Sequence, residues 1–134
     1  MNTFLNISCN NIFMVKYRIK NPGIGIDIED IGRFKDLDIN KENVFLRNVF
    51  TKNELDYCFS KKEPARHLAV RFAAKEAIIK AINFLSKKKP ALNEIEIINN
   101  INGVPLVNLG GYDVKVSLSH CKDKAIAFAI LEKN

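Results

Sequence analysis

The chain lacks the residues that build disulfide or zinc frameworks. Its 134 residues include no tryptophan, two histidines and three cysteines, and the cysteines Cys9, Cys58 and Cys121 form no CxxC pair. An odd number of widely spaced cysteines argues against a disulfide scaffold, and so few Cys and His residues argue against a structural zinc site. Unpaired cysteines are typical of a reducing compartment, so we expect a cytoplasmic protein.

Long apolar runs are also missing. No stretch reaches the roughly 18 apolar residues of a membrane-spanning helix, which predicts no membrane span. The first 26 residues contain Lys16, Arg18 and Lys20 but no acidic residue. We treat residues 1–22 as an extension that forms either an edge strand or the remnant of a transit peptide to a plastid-type organelle. The remainder, residues 23–134, is expected to form one domain.

The composition is apolar enough for a core and clearly basic. Hydrophobic residues make up 47% of the chain, and the formal net charge is +6. A basic surface attracts polyanions such as nucleic acid, a nucleotide-like cofactor or an acidic protein. A nucleic-acid-binding module would interleave aromatic and basic residues on one face, whereas the aromatic residues here are scattered. We keep that module as an alternative but expect no nucleic-acid partner.

The segment from Gly23 to Glu29 predicts the first strand. Ile24, Ile26 and Ile28 alternate, which indicates one buried face, and Gly25 and Asp27 then point to the opposite face. Asp is a poor strand former, so Asp27 indicates a role other than strand stability.

Helix signals follow, and strands fill the C-terminal half. A Thr-x-x-Glu capping box predicts a helix over 51–59, and Pro64 begins a longer Ala-rich helix over 65–85. Alternating patterns predict strands over 94–98, 104–109, 112–119 and 125–131. The predicted fold is α+β, with one long helix packed on an antiparallel sheet.

Charged residues on the long helix are the first functional candidates. Glu76 and Lys80 are four residues apart and share a face, as do Arg71 and Lys75. Such pairs are commonly solvated surface ion pairs. Their Ala- and Ile-rich flanks, however, indicate that these charges face something other than bulk water.

Asp27 and Glu76 would repel each other if the fold brought them together, and a hard divalent cation would remove that repulsion. Mg²⁺ takes one or two protein carboxylates together with phosphate and water, and Lys80 would then face a phosphate. His120, at a predicted strand end, is either a hydrogen-bond donor to phosphate, an acid/base group or a surface turn histidine. His67, at the start of the long helix, is interpreted as a surface residue.

Five segments in order resemble one enzyme family: GIGIDIEDIGRF, FTKNELDYC, RFAAKEAIIKA, NGVPLV and VSLSHCKDKAIAFAI. Together they are similar to the holo-acyl-carrier-protein synthases, the small 4′-phosphopantetheinyl transferases. The resemblance implies that fold, coenzyme A as donor, Mg²⁺ as cofactor, and transfer of phosphopantetheine to a serine of apo-acyl carrier protein. It also implies a homotrimer with its sites between subunits.

The resemblance assigns roles residue by residue. Asp27 and Glu76 match the metal-binding carboxylates, and with Lys80, which matches a phosphate-contacting lysine, they form the predicted catalytic set. The predicted coenzyme A-binding residues are Arg71, Lys75, Lys80 and His120. Arg33 matches a basic position that contacts the acidic helix of the carrier protein.

Two departures and one alternative remain. The N-terminal extension is longer than is usual in the family, and residues 83–89, with three lysines, replace a Gly-rich turn. Those lysines either contact phosphate or form a solvated helix end.

A catalytically silent oligomeric relative is a further alternative, although Asp27, Glu76 and Lys80 are all present. We take Glu76, acting directly or through a metal-bound water, as the hypothetical general base.

Overall fold

A computed structural model describes residues 21–41 and 43–134. The helices are α1 (Val44–Val49), α2 (Lys52–Phe59) and α3 (Pro64–Ile82), with 3₁₀ turns at Ile31–Phe34 and Leu92–Glu94. The strands are β1 (Gly23–Asp30), β2 (Glu96–Asn99), β3 (Pro105–Asn108), β4 (Tyr112–His120) and β5 (Lys124–Lys133). The predicted N-terminal edge strand and Cys9 lie outside the described residues. Within the described ranges, no helix combines the length and hydropathy that crossing a membrane requires.

The strands form two antiparallel units beneath the long helix. One sheet has the order β1-β5-β4, and β2 pairs separately with β3. Helix α3 packs on β1, β5 and β4. This arrangement confirms the predicted α+β fold with one long helix on an antiparallel sheet. The sequence analysis did not predict α1 or the division into two sheets.

The start of α2 matches its sequence signal. Thr51 Oγ1 accepts a hydrogen bond from the Glu54 backbone N–H at 3.3 Å, and the Glu54 carboxylate accepts one from the Thr51 N–H at 2.8 Å. These reciprocal bonds satisfy two backbone donors that the first turn of a helix leaves free. The predicted capping box is therefore confirmed.

Glycines decide which face of β1 is buried. A Cβ atom on Gly25 would lie 1.8 Å from the Ala77 carbonyl oxygen, and one on Gly23 would lie 2.1 Å from that of Ala81. Helix α3 can approach β1 this closely only because these two positions carry no side chain. The face of β1 that carries Gly25 and Asp27 therefore lies against the helix.

The predicted buried isoleucine face is therefore wrong. Ile24, Ile26 and Ile28 are 47%, 56% and 59% exposed on the opposite side of the sheet. Ile26 pairs across strands with Phe128 on β5, which is itself 43% exposed. We call this outward surface of β1 and β5 the isoleucine face. It is an apolar patch that nothing in the described part of the chain covers.

Candidate active site

One end of the site is a carboxylate cluster between β1 and α3. Lys80 donates hydrogen bonds to Asp27 Oδ1 and to the Ile26 carbonyl oxygen, both at 2.9 Å. The Asp27 side chain is only 12% exposed, whereas that of Lys80 is 52% exposed. Because the ammonium group reaches solvent, Lys80 can leave Asp27 for another anion without being pulled from the core.

The carboxylates of this cluster are not fully compensated by the basic side chains around them. Asp27 Oδ2 is buried and has no hydrogen-bond partner among the described residues. Burial, and next the charge of Asp27, raise the pKa of Glu76, while Lys80 and Lys89 act in the opposite direction. The fold has therefore brought Asp27 and Glu76 into electrostatic contact, as the family resemblance implied. An orphaned carboxylate oxygen beside a second carboxylate fits a hard cation.

Glu29 is a member of this cluster that the sequence analysis missed. It lies two residues after Asp27 on β1, so both side chains point toward α3. Burial, and next its contact with Asp27, raise the pKa of Glu29, and its carboxylate pairs with Arg33. The period of two along the strand was the signal that could have revealed it.

The carboxylates do not form a complete protein cage. The described residues contain no group of three or more Asp, Glu, His or Cys side chains arranged to hold a metal ion. A cation bound by Asp27 and Glu76 would thus take its other ligands from phosphate and water, as Mg²⁺ commonly does.

Lys75 does not belong to the ligand-facing surface. Its side chain is 0% exposed, and its ammonium group lies 2.7 Å from the Glu54 carboxylate. It also donates to the carbonyl oxygens of Val49, Leu92 and Ile95 at 2.8, 2.9 and 2.5 Å. The predicted contact of Lys75 with coenzyme A is incompatible with this burial. Lys75 instead joins α3 to α2 and to the segment before β2.

A second half of the site lies on the other edge of the sheet. Arg71 and His120 line one cavity of about 420 Å³, together with Tyr57 and His67. Arg71 is 3% exposed and donates to the Ile97 carbonyl oxygen and to Asn99 Oδ1, both at 3.3 Å. We call this the basic cavity. The predicted pairing of Arg71 with His120 at one site is consistent with this geometry.

The two halves are separated within one chain. Asp27 is on β1 and His120 is at the end of β4, with β5 between these strands. In register, Asp27 pairs with Ala127, and His120 pairs with Ala125. A single chain therefore presents the carboxylate cluster at one edge of its sheet and the basic cavity at the other.

Arg33 lies on the surface beside the cluster. Its guanidinium group is within 5.8 Å of the Phe34 ring and 5.7 Å of the Phe72 ring, and it pairs with Glu29. Its side chain is 56% exposed. It is thus held next to the carboxylates and remains accessible to a partner.

Comparison with known proteins gives a consistent result. The sequence profile described as the 4′-phosphopantetheinyl transferase superfamily matches residues 23–130. The holo-[acyl-carrier-protein] synthase of Thermodesulfovibrio yellowstonii is 41% identical over 111 residues, covering 81% of this chain and 96% of that protein. The corresponding protein of Protochlamydia amoebophila is 42% identical over 117 residues, covering 81% of this chain and 95% of that one.

Solved structures agree. The holo-(acyl-carrier-protein) synthase of Bacillus anthracis, determined in complex with CoA (3′,5′-ADP), superposes with a TM-score of 0.71 at 32% identity. The match covers 84% of this chain and 96% of that one. The resemblance inferred from the five segments is confirmed, and the chain belongs to the 4′-phosphopantetheinyl transferase superfamily.

Proposed function

We propose that this protein transfers the 4′-phosphopantetheine group from coenzyme A to a serine of apo-acyl carrier protein, releasing adenosine 3′,5′-bisphosphate. The observation that carries this proposal is the orphaned Asp27 oxygen beside Glu76 and Lys80. A carboxylate cluster with a buried, unpartnered oxygen, next to a half-exposed lysine, suits a pyrophosphate and its metal. The names of the relatives supply the carrier protein and the donor.

Mg²⁺ is the proposed cofactor, held by Asp27 and Glu76. When bound, it would neutralise charge that develops on the phosphate oxygens. Lys80 would exchange its bond to Asp27 for a phosphate oxygen of the donor, which its 52% exposed side chain permits. The charge of Lys89 also reaches Glu76, which favours a phosphate contact for this lysine over a purely solvated helix end.

Glu76 is the proposed general base. The serine oxygen of the carrier protein attacks the phosphorus next to the pantetheine arm, and the bond from that phosphorus to adenosine 3′,5′-bisphosphate breaks. Glu76 takes the serine proton. The Glu76 carboxylate lies in the same cluster as Asp27 and Lys80, so a group able to accept this proton stands beside the site proposed for the donor phosphates.

The active unit is proposed to be a homotrimer in which neighbouring subunits share each site. The isoleucine face is an apolar patch on the open side of the sheet, and covering it with another copy would remove that surface from water. A head-to-tail ring also lets the basic cavity of one subunit meet the carboxylate cluster of the next. This arrangement resolves the separation of the two halves within one chain.

Arg33 is proposed to contact an acidic helix of the carrier protein. It stands beside the carboxylates where the serine must arrive, and more than half of its side chain is exposed. An Arg33→Ala variant should raise KM for the carrier protein while the affinity for coenzyme A stays unchanged. An equal weakening of carrier-protein KM and of coenzyme A affinity would contradict a carrier-specific role for Arg33.

The reaction is tested by mass spectrometry of apo-acyl carrier protein incubated with this protein, coenzyme A and Mg²⁺. We expect a gain of one phosphopantetheine mass, and none with Asp27→Ala or after EDTA treatment. Glu76→Gln should also abolish transfer, and unchanged turnover at saturating Mg²⁺ would exclude Glu76 as base and as ligand. No mass gain with several carrier proteins would favour the catalytically silent relative.

Shared sites are tested by mixing two inactive variants, Asp27→Ala and Arg71→Ala. In a mixed head-to-tail ring, about one quarter of the sites combine an intact cluster with an intact cavity, so activity should reappear. Sedimentation of Ile28→Glu should show monomers, whereas Val44→Glu, changed at an equally exposed position on α1, should still assemble. No recovery on mixing would show that one chain supplies the whole site.

A further inference from the structure

The basic cavity contains a histidine that the proposed reaction leaves without a role. His67 is half-buried and lines the cavity with Arg71 and His120. Its ring packs edge-on against Tyr57, with centroids 5.7 Å apart and planes at 82°. The sequence analysis interpreted His67 as a surface residue, whereas the structure places it in the cavity wall.

Basic side chains from three parts of the chain lower the pKa of His67. Arg71 and Arg66 lie on α3, and Lys61 comes from the segment between α2 and α3. His120, at the end of β4, acts in the same direction. The Lys61 ammonium and the Arg71 guanidinium also lie over the Tyr57 ring, at 4.5 and 4.2 Å from its centroid. Tyr57, from α2, presents a neutral ring to His67.

The carboxylate of Glu63 lies close to this group of basic side chains. Glu63 pairs with Arg66 at 2.5 Å and offsets part of its charge. Both side chains are substantially exposed, at 60% and 39%, so solvent weakens this pair. The cavity therefore keeps an excess of positive charge around the imidazole.

This environment disfavours the protonated form of the imidazole. Burial first, and then the neighbouring cations, lower the pKa of His67 below its ordinary value of 6.5. An anion among these groups acts in the opposite direction, because an opposite charge within about 4–6 Å raises a histidine pKa by about 1–3 units. The protonation state of His67 therefore depends on whether the cavity is occupied.

We propose that His67 is a phosphate-binding residue of the basic cavity and takes up a proton when a phosphomonoester of the donor substrate enters. This inference rests on the proposed function, since it takes coenzyme A as the donor. Coenzyme A carries a 3′-phosphomonoester and a pyrophosphate. A phosphomonoester has a charge of about −1.5 to −2 at pH 7, so it gains most from one more cation.

Linkage fixes the direction of the pH dependence. A group whose pKa rises on binding strengthens binding fully below its free-state pKa, and this contribution is lost as the pH rises through its bound-state pKa. For His67, the pH range over which this contribution is lost begins below pH 6.5, at the free-state pKa. It extends upward by the increase in pKa that the phosphate causes. A rise of about one unit corresponds to about a tenfold change in affinity and a maximal uptake of about half a proton.

The experiment is titration calorimetry of coenzyme A binding between pH 6 and 8, without Mg²⁺ or carrier protein, so that no turnover occurs. Wild type is compared with His67→Phe, which keeps an aromatic ring against Tyr57 but cannot be protonated. Two buffers of different ionisation enthalpy give the protons taken up. The phosphomonoester titrates near pH 6 and is coupled to a neighbouring imidazole, so proton uptake is compared above pH 7, where this phosphate is already mostly ionised in solution.

We expect wild type to take up a fraction of a proton more than His67→Phe above pH 7, and its affinity advantage to fall severalfold between pH 6 and 8. With 3′-dephospho-coenzyme A this difference should disappear. A difference that persists with that ligand would overturn the phosphomonoester assignment. Identical uptake and pH profiles in the two proteins would overturn the role of His67.

Failure of this inference is distinguishable from failure of the proposed function. If wild type binds coenzyme A but His67→Phe behaves identically, only the inference about His67 fails. If wild type binds no coenzyme A at any pH, even after Mg²⁺ is added, the proposed function fails and takes this inference with it. Thermal unfolding of His67→Phe verifies that any difference comes from a folded protein.

Discussion

Replacing Lys75 by methionine should destabilise the protein strongly, although methionine fits a buried helical position. The ammonium group of Lys75 is 2.7 Å from the Glu54 carboxylate, and both side chains are 0% exposed. Methionine leaves Glu54 with only its bonds from the Thr51 and Ile97 backbone N–H groups, each 2.8 Å long. It also removes the donor that satisfies three backbone carbonyl oxygens.

The expected cost follows from this burial. Removing one partner of a buried ion pair typically costs about 3–5 kcal/mol, because the remaining charge has no compensating partner. For a domain of this size, a loss of 1 kcal/mol lowers Tm by about 3–6 °C, so Tm should fall by about 10–25 °C. Urea denaturation of Lys75→Met and wild type gives the free energy of unfolding directly.

Lys80→Met provides the matched control on the same helix. Lys80 also pairs with a carboxylate, but its side chain is 52% exposed, so its loss should cost no more than about 1 kcal/mol. We expect Lys80→Met to lose transferase activity while keeping its stability. Lys75→Met should lose stability while its folded fraction keeps its affinity for coenzyme A.

Two results would refute this reasoning. A free energy of unfolding for Lys75→Met within about 1 kcal/mol of wild type would show that the Glu54–Lys75 pair is not needed for stability. A large loss of coenzyme A affinity at full folding would return Lys75 to the ligand-binding set.

Other consequences of the packing can be measured in the same way. Gly25→Ala should lower the free energy of unfolding by several kcal/mol in urea denaturation, because its Cβ would lie 1.8 Å from the Ala77 carbonyl oxygen. Gly32→Ala, with open space around it, should be nearly neutral. Equal effects of the two substitutions would contradict the close approach of α3 to β1. Burial raises the pKa of the Cys58 thiol to about 11, so iodoacetamide at pH 8 should label the peptide with exposed Cys121 and spare that with Cys58 until denaturation.

Much of the fold was predictable because its signals are local. The Thr51 capping box places the start of α2, and Pro64 marks the first turn of α3, since both depend on backbone donors within one turn. The family was predictable because several motifs occur in one order over most of the chain. The role of residues 1–22 as an N-terminal extension and the cytoplasmic location of the protein remain predictions.

The burial of β1 depended on tertiary structure. Alternation gives a strand two faces, and from the sequence the face with the isoleucines was predicted to be buried. Only the packing of α3 against Gly23 and Gly25 reveals that the face carrying Asp27 is covered and the isoleucine face is open. An apolar face suits a core or an interface between copies equally well, so hydrophobicity cannot distinguish them.

The partners of charged residues also depended on tertiary structure. By spacing, Lys75 and Lys80 are both helix lysines with carboxylates nearby in sequence, yet Lys75 meets Glu54 from α2 and Lys80 meets Asp27 from β1. Sequence alone identified Asp27, Glu76 and Lys80 as candidates, although it missed Glu29 and included Lys75. Tertiary structure decided which of them are buried supports and which face a ligand, because that depends on distant segments packing around α3.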